Sequence, residues 1–64
     1  MNALATLIAQ IANGTRAMTK DDVRALIAAG HTREEMLDAI VAAASDPKVS
    51  RKMHRALAVL RDTK

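Results

Sequence analysis

Helix-start signals recur along this chain, and they limit its fold more than any other feature does. Thr19 and Thr32 are each followed three residues later by an acid, Asp22 and Glu35. A hydroxyl side chain and an acid at this spacing form the capping box that begins many α-helices, because each side chain accepts a hydrogen bond from the other residue's backbone amide. The sequence therefore predicts that two short helices begin directly after these threonines.

Two glycines and a proline mark where helices end. Gly14 and Gly30 occur singly at the ends of helix-like segments, where the left-handed backbone that glycine adopts freely closes a helix. Pro47 follows the third such segment and suits the first turn of a new helix, for which Asp46 and Ser50 are alternative starts. These signals predict four helices, over about residues 3–13, 20–29, 33–45 and 48–61.

Large apolar residues recur every three or four positions inside each predicted helix, as expected for helices with one buried face. The residues expected to be buried in the second, third and fourth helices are Val23, Leu26, Ile27, Met36, Leu37, Ile40, Val41, Ala44, Val49, Met53, Ala56, Leu57 and Leu60. This pattern predicts an all-α fold, a compact bundle of four short helices that forms one domain over residues 1–64.

The apolar inventory is thin for a chain that folds alone. Of the 32 hydrophobic residues 14 are alanine, and phenylalanine, tyrosine and tryptophan are absent. Chains of about 60 residues hide only about 60% of the surface that the unfolded chain exposes, and association with a second copy is a common remedy. The first helix is uncharged and carries the apolar stripe Leu4, Leu7, Ile8 and Ile11. We therefore expect this stripe to form the interface of a symmetric homodimer or higher oligomer.

Positive charge is concentrated at the end of the chain. Residues 48–64 hold six basic side chains and one acid, a net charge of +5, whereas residues 1–47 carry a net charge of −2. The cations predicted to share one arc beside the apolar face of the last helix are Lys48, Arg51, Lys52 and Arg55. Because a local basic surface selects partners by charge, we expect a small regulator or inhibitor that docks on an acidic protein surface.

Double-stranded DNA is the alternative partner. Residues 19–44 contain a helix, a short turn with Gly30 and a second helix, and resemble the helix-turn-helix of bacterial DNA-binding regulators. That motif inserts the start of its second helix into the major groove, and here this start carries Glu34, Glu35 and Asp38, which would face phosphate. In this alternative the last helix supplies the contacts to phosphate, with an affinity that depends strongly on salt.

Catalytic, metal and cofactor sites are not expected. His31 and His54 are the only side chains that act as bases near neutral pH; we expect His31 to pack against Met36, and neither histidine to be oriented by a carboxylate. The chain has no cysteine, and two separate histidines do not supply the three or four clustered ligands that zinc needs. The sequence also lacks a glycine-rich phosphate-binding loop. We therefore expect neither enzymatic activity nor a cofactor.

Targeting and membrane-spanning segments are not expected either. Residues 3–12 are apolar and rich in alanine, but no basic residue precedes them and the run is too short to span a bilayer. A chain without cysteine can work in a reducing compartment. We therefore expect a soluble cytoplasmic protein that does not bind membranes.

Overall fold

Four helices joined by turns make up the structure, a computed structural model that describes residues 2–63. In chain order the helices are α1 (Ala3–Ala12), α2 (Lys20–Ala28), α3 (Arg33–Ala44) and α4 (Ser50–Asp62). No strand occurs among the described residues, and the prediction of an all-α bundle of four short helices is confirmed. None of these four helices has the length and apolar character that crossing a lipid bilayer requires.

Side-chain caps begin α1 and α2, and the cap of α2 is the one that the sequence predicts. The Asn2 side-chain oxygen accepts hydrogen bonds from the amides of Leu4 at 2.9 Å and Ala5 at 3.4 Å. At α2 the capping box is complete, because Thr19 Oγ1 accepts from the Asp22 amide at 3.2 Å and Asp22 Oδ2 accepts from the Thr19 amide at 2.9 Å. These bonds satisfy backbone donors that a helix start otherwise leaves without partners.

The cap of α3 differs from that of α2 in its acidic member. Thr32 Oγ1 accepts a hydrogen bond from the Glu35 amide at 3.1 Å, but the Glu35 carboxylate lies beside the His31 ring, with Oε2 3.1 Å from Nδ1. The two side chains are four residues apart, a spacing that brings side chains at a helix start to the same side. The expectation that no carboxylate orients His31 is therefore wrong.

Both glycines end helices through left-handed backbone. The φ angle is +77° at Gly14 and +101° at Gly30. After α1 the amide of Thr15 donates to the carbonyl of Gln10 at 3.1 Å, and an equivalent bond closes α2. This closure satisfies carbonyls at the helix end, and it places the ends of α1 and α2 close to where the glycines predict them.

The start of α4 differs from the sequence-based expectation. Its first helical residue is Ser50, and the cap position before it is held by Val49, which provides no side-chain hydrogen bond. Asp46 does act as a cap, but for the preceding turn, because its Oδ1 accepts from the Lys48 amide at 2.9 Å. The helix therefore begins two residues later than the predicted range of about 48–61, at Ser50, the second of the two starts that the sequence left open, and it has no side-chain cap.

One hydrophobic core lies between the helices. Its buried members among the described residues are Leu4, Leu7, Ile11, Met18, Val23, Leu26, Met36, Ile40, Met53, Ala56 and Leu60. α3 packs mainly against α4, while α1 contacts both of them and α2 contacts α4. No aromatic ring is present, so methionines fill the centre, where their unbranched and flexible side chains adapt to irregular space.

Three large apolar residues expected in the core lie on the surface instead. Ile27, Leu37 and Val41 are 42%, 41% and 54% exposed. On α3 the buried face is centred on Met36 and Ile40, and at about 100° per residue the other two α3 positions fall on its flank. The neighbouring helices within residues 2–63 do not extend far enough to cover that flank. The expected apolar stripe of α3 is thus wider than the face that is buried.

Candidate partner-binding surface

The four cations predicted to bind a partner lie on the exposed side of α4 and of the turn before it. We call them the basic arc: Lys48, Arg51, Lys52 and Arg55. Lys48 belongs to the turn at 47–49, and the other three belong to the first two turns of α4. Those three span about 100° of the helix circumference. All four residues are exposed.

The inner face of α4 fixes the orientation of the basic arc. Met53, Ala56 and Leu60 are buried in the core, so α4 cannot rotate without exposing them to water. Burial of a large apolar side chain contributes about 1.5–3 kcal/mol, which holds the helix in one orientation. Arg51, Lys52 and Arg55 therefore project from a fixed helix, and Lys48 lies in the turn directly before it.

The basic arc has no acidic partner within residues 2–63. The ion pairs in this part of the chain are Arg16–Asp22 and Arg24–Asp21, and the His31 ring lies within hydrogen-bond distance of Glu35. Neighbouring cations without nearby carboxylates produce a positive potential that attracts anionic partners. Within the described residues, the charge of the arc is thus not neutralised by ion pairs.

The location of the arc at a helix start is electrostatically unfavourable. The first turns of α2 and α3 each contain two acids, whereas the first turn of α4 has none and contains Arg51 and Lys52. A helix start carries a partial positive charge, and a favourable side-chain charge there contributes about 0.3–1 kcal/mol. The cations of α4 oppose this effect, so the arc lowers the stability of the helix that carries it.

A groove borders the basic arc on the side of the α1–α2 connection. It lies between residues 14–18 and α4 and has a volume of about 480 Å³. Its apolar lining comes from Ile11, Met18, Ala56 and Val59, and its cations are Arg16, Lys52 and Arg55. The groove thus combines an apolar surface with positively charged groups.

Lys52 connects the basic arc to the end of α1. Its Nζ donates to the carbonyl oxygen of Ala12, the last residue of α1, at 3.4 Å, and a cation is favourable at the negative end of a helix. A Cβ added at Gly14 would lie 3.1 Å from the same Nζ, so glycine also leaves room for the lysine side chain. This contact draws Lys52 towards the groove.

Arg33, at the start of α3, is bonded to the end of α4. Its guanidinium donates to the carbonyl oxygen of Leu60 at 2.7 Å and to that of Thr63. The last carbonyls of a helix have no partners inside the helix, and a cation there is favourable. At the start of α3, Glu34 and Asp38 are therefore exposed to solvent, while Arg33 is bonded to the end of α4. A helix that reads the major groove differs in presenting groups that bind DNA at its start.

The stripe expected to drive self-association lies inside the fold of the single chain. Leu4, Leu7 and Ile11 are buried in the core, and Ile8 is half-buried against it. In a sequence, an apolar stripe that faces its own core cannot be distinguished from one that faces a second copy. A homodimer stays a prediction, but these four side chains are already occupied within the chain.

The groove is the feature that sequence analysis missed. Arg16 is the only basic residue between α1 and α2, and no spacing in the sequence indicates that it lies near α4. Its guanidinium pairs with Asp22, the same acid that completes the cap of α2. The only signal in the sequence was therefore a basic residue close to the cap of α2. This signal predicts the ion pair between Arg16 and Asp22, but it does not predict the groove.

The two histidines are not assembled into a metal site. Among residues 2–63, no three histidine or acidic side chains lie together as possible metal ligands. His54 is exposed on α4, and His31 is paired with Glu35 as described above. The expected lack of enzymatic activity, metal and cofactor stays a prediction.

Comparison with known proteins gives no relative for this chain. No model of a protein family matches it, and no curated protein or solved structure is significantly similar to it. Any functional proposal therefore rests on the surface itself.

Proposed function

We propose that this chain is a small non-catalytic binding protein, a regulator or inhibitor, that docks on an acidic surface of a protein partner. The observation that carries the proposal is the basic arc of Lys48, Arg51, Lys52 and Arg55. Its cations are exposed and have no carboxylate partner in an ion pair within residues 2–63. Three of them project from a helix whose other face is buried, and Lys48 lies in the turn before it. We propose that this binding takes place in the cytoplasm, a reducing compartment in which a chain without cysteine can work.

The electrostatic cost of the arc supports a role in binding. Sites where a sequence departs from the rules of local stability are often functional, and α4 departs from two rules that α2 and α3 follow. It has no side-chain cap and no acid in its first turn. A requirement for positive charge at this surface accounts for the absence of acids from the first turn.

Binding through such a surface should depend on salt. Charge complementarity accelerates association and selects partners more than it adds affinity, and exposed charges are screened at high ionic strength. We expect association with the partner to slow markedly between about 50 and 200 mM salt, where the Debye length falls from roughly 14 to 7 Å.

The test is capture of a partner from the source cells by three forms of the full chain. The first is the wild type, and the second replaces Lys48, Arg51, Lys52 and Arg55 by glutamine. The third replaces three exposed cations outside the arc, Lys20, Arg24 and Arg61, by glutamine. The captured protein is then purified, and its affinity for each form is measured by calorimetry at the two salt concentrations.

The proposal predicts an acidic partner that binds the wild type and the control variant but not the arc variant. Circular dichroism checks that all three forms are helical. Equal binding of the wild type and the arc variant would show that the arc only improves solubility, and would end the proposal.

Double-stranded DNA stays the second candidate, because the same four exposed cations could pair with phosphates. Neutralising four phosphates predicts that affinity for a random duplex falls about 100-fold between about 50 and 200 mM salt. The engaged Arg33 and the acids of α3 weigh against sequence-specific reading by that helix. Absence of duplex binding at the lower salt concentration would eliminate this candidate.

Self-association is the remaining proposal from the sequence. With the stripe of α1 buried, the exposed apolar pair Leu37 and Val41 on α3 is the stronger location for a contact between two copies. Sedimentation equilibrium should then show dimers whose fraction rises with concentration and falls in the Leu37→Ser variant. A wild type that is monomeric at every concentration would contradict it.

A further inference from the structure

The groove beside the basic arc has an apolar surface within reach of solvent. Its apolar lining includes the exposed side chain of Ala17 and the half-buried side chain of Val59, together with the core residues Ile11, Met18 and Ala56, which are almost fully buried. The volume of about 480 Å³ lies in the range of pockets that bind small ligands. One aliphatic side chain of a partner would fit within it and be removed from water.

The charged groups at the groove are positive and differ in their availability. Arg16 is paired with Asp22. Lys52 and Arg55 have no carboxylate partner within residues 2–63, although Lys52 also contacts the end of α1. The groove therefore complements a ligand that carries carboxylates next to an apolar group.

The loop that borders the groove contains backbone amides without a partner among the described residues. The amides of Arg16, Ala17 and Met18 make no hydrogen bond to another described residue. Backbone amides need a partner from protein, water or ligand, and a peptide lying along the loop offers carbonyl and carboxylate oxygens. These donors favour a peptide over a purely aliphatic molecule.

A second groove, between α1 and α2, lacks this combination. It has a similar volume of about 460 Å³ and an apolar lining that includes Leu7 and Leu26. Its charged residues are Arg16 and Asp22, which neutralise each other. Charge complementarity thus distinguishes the first groove from the second.

We infer that the groove between residues 14–18 and α4 binds an acidic peptide segment of the partner, with one aliphatic side chain in the groove and its neighbouring carboxylates on Lys52 and Arg55. This inference rests on the proposed function, and it divides the basic arc into two pairs. Lys52 and Arg55 line the groove, whereas Lys48 and Arg51 do not. The first pair contacts the peptide, and the second pair contributes only to the general positive potential.

Two capped pentapeptides of equal charge test the inference. One has leucine between two pairs of glutamates, and the other has glycine in place of that leucine. Because burying a leucine side chain is favourable, we expect the leucine peptide to bind the full chain about tenfold more tightly. The measurement is an NMR titration at about 50 mM salt, in which the largest amide shifts should occur at Ala17, Met18 and Val59.

Two double variants with the same loss of charge separate the groove from the rest of the arc. Replacing Lys52 and Arg55 by glutamine should weaken binding of the leucine peptide at least about tenfold, as expected for loss of two charge-assisted contacts. Replacing Lys48 and Arg51 by glutamine should weaken it only two- to threefold through the reduced potential. The Ala17→Phe variant should also abolish the preference for leucine by filling the groove, whereas Ala9→Phe, at an exposed position of α1 outside it, should not.

The outcomes separate this inference from the proposed function. Equal affinities for the two peptides, with equal weakening by the two double variants, would overturn the groove site and leave docking through the arc intact. Failure of the leucine peptide to bind at millimolar concentration would also overturn the groove site, and the capture experiment with the arc variant then decides the proposed function independently.

Discussion

The starts of α2 and α4 differ, although both leave backbone amides without partners inside the helix. At α2, Thr19 and Asp22 satisfy each other's backbone amides, and two acids complement the positive end of the helix. At α4 the cap position is held by Val49, which provides no side-chain hydrogen bond, and the first turn contains Arg51 and Lys52. The two helix starts thus differ in capping and in the sign of the charges in their first turns.

The difference shows that α4 depends on tertiary packing more than α2 does. Short helices are marginal in water by themselves, and α4 gains nothing from capping or from its first-turn charges. It has, however, a buried face of Met53, Ala56 and Leu60, and its last carbonyls are bonded to Arg33. Packing on one face compensates for the electrostatic cost on the other, and this leaves the exposed face available for positive charge.

The largest loss of unfolding free energy is expected for a substitution on the buried face of α4. Met53 is fully buried, and the Met53→Ala variant should lose about 2–5 kcal/mol of unfolding free energy, because a buried side chain is replaced by a cavity. Urea denaturation followed by circular dichroism measures the loss.

The matched change on the exposed face is Arg55→Ala, which should alter the unfolding free energy by less than about 0.5 kcal/mol. If both variants were equally stable, α4 would not depend on its inner face, and the contrast between the two helices would lose its basis.

Removal of hydroxyls at helix starts should lower the unfolding free energy by a smaller amount. The loss should be larger at the starts of α2 and α3 than at the start of α4. Thr19→Ala and Thr32→Ala should each lower the unfolding free energy by about 1 kcal/mol, since each leaves a backbone amide without its acceptor. Ser50→Ala at the start of α4 is the control. The Ser50 hydroxyl caps no helix, so its loss should cost only a few tenths of a kcal/mol. A loss at Ser50 as large as that at the threonines would mean that α4 is capped after all.

Reversing single charges along α4 should change the unfolding free energy least, and the direction of the change should depend on which end of the helix carries the charge. Arg51 lies in the first turn and Arg61 in the last, and replacing either by glutamate changes the net charge equally. Arg51→Glu should raise the unfolding free energy by about 0.3–1 kcal/mol and Arg61→Glu should lower it by a similar amount, because only the first complements the helix dipole. Both effects should fade at about 1 M salt. Changes of the same sign in the two variants would indicate general charge repulsion instead.

The helices and most of their ends could be predicted because their signals are local. The bonds between Thr19 and Asp22 span three residues, and Gly14 closes α1 through its own backbone angle. The start of α4 stayed open between Asp46 and Ser50, because the sequence does not show that Asp46 caps a single turn rather than a helix. A local sequence signal thus identifies a capping residue more reliably than it shows whether that residue caps a helix or a single turn.

Burial and the groove could not be predicted because they depend on which elements meet. Leu37 and Val41 have the spacing of core residues, yet the neighbouring helices do not cover their flank of α3. Leu4 and Leu7 have the spacing of an interface and lie in the core. The groove needs the 14–18 loop beside α4, and the residues that meet there are about forty positions apart in the chain.

The central claim is that positive charge at the start of α4 serves binding at the expense of stability, and one variant tests both halves. Replacing Lys48, Arg51, Lys52 and Arg55 by glutamine removes the unfavourable charges and the proposed contacts together. Its unfolding free energy and its affinity for the leucine-containing acidic peptide are measured in the same buffer at about 50 mM salt. We expect its unfolding free energy to equal that of the wild type or to exceed it by up to about 1 kcal/mol, and its affinity for the peptide to be at least about tenfold lower. A variant that is less stable and binds the peptide as tightly as the wild type would contradict it.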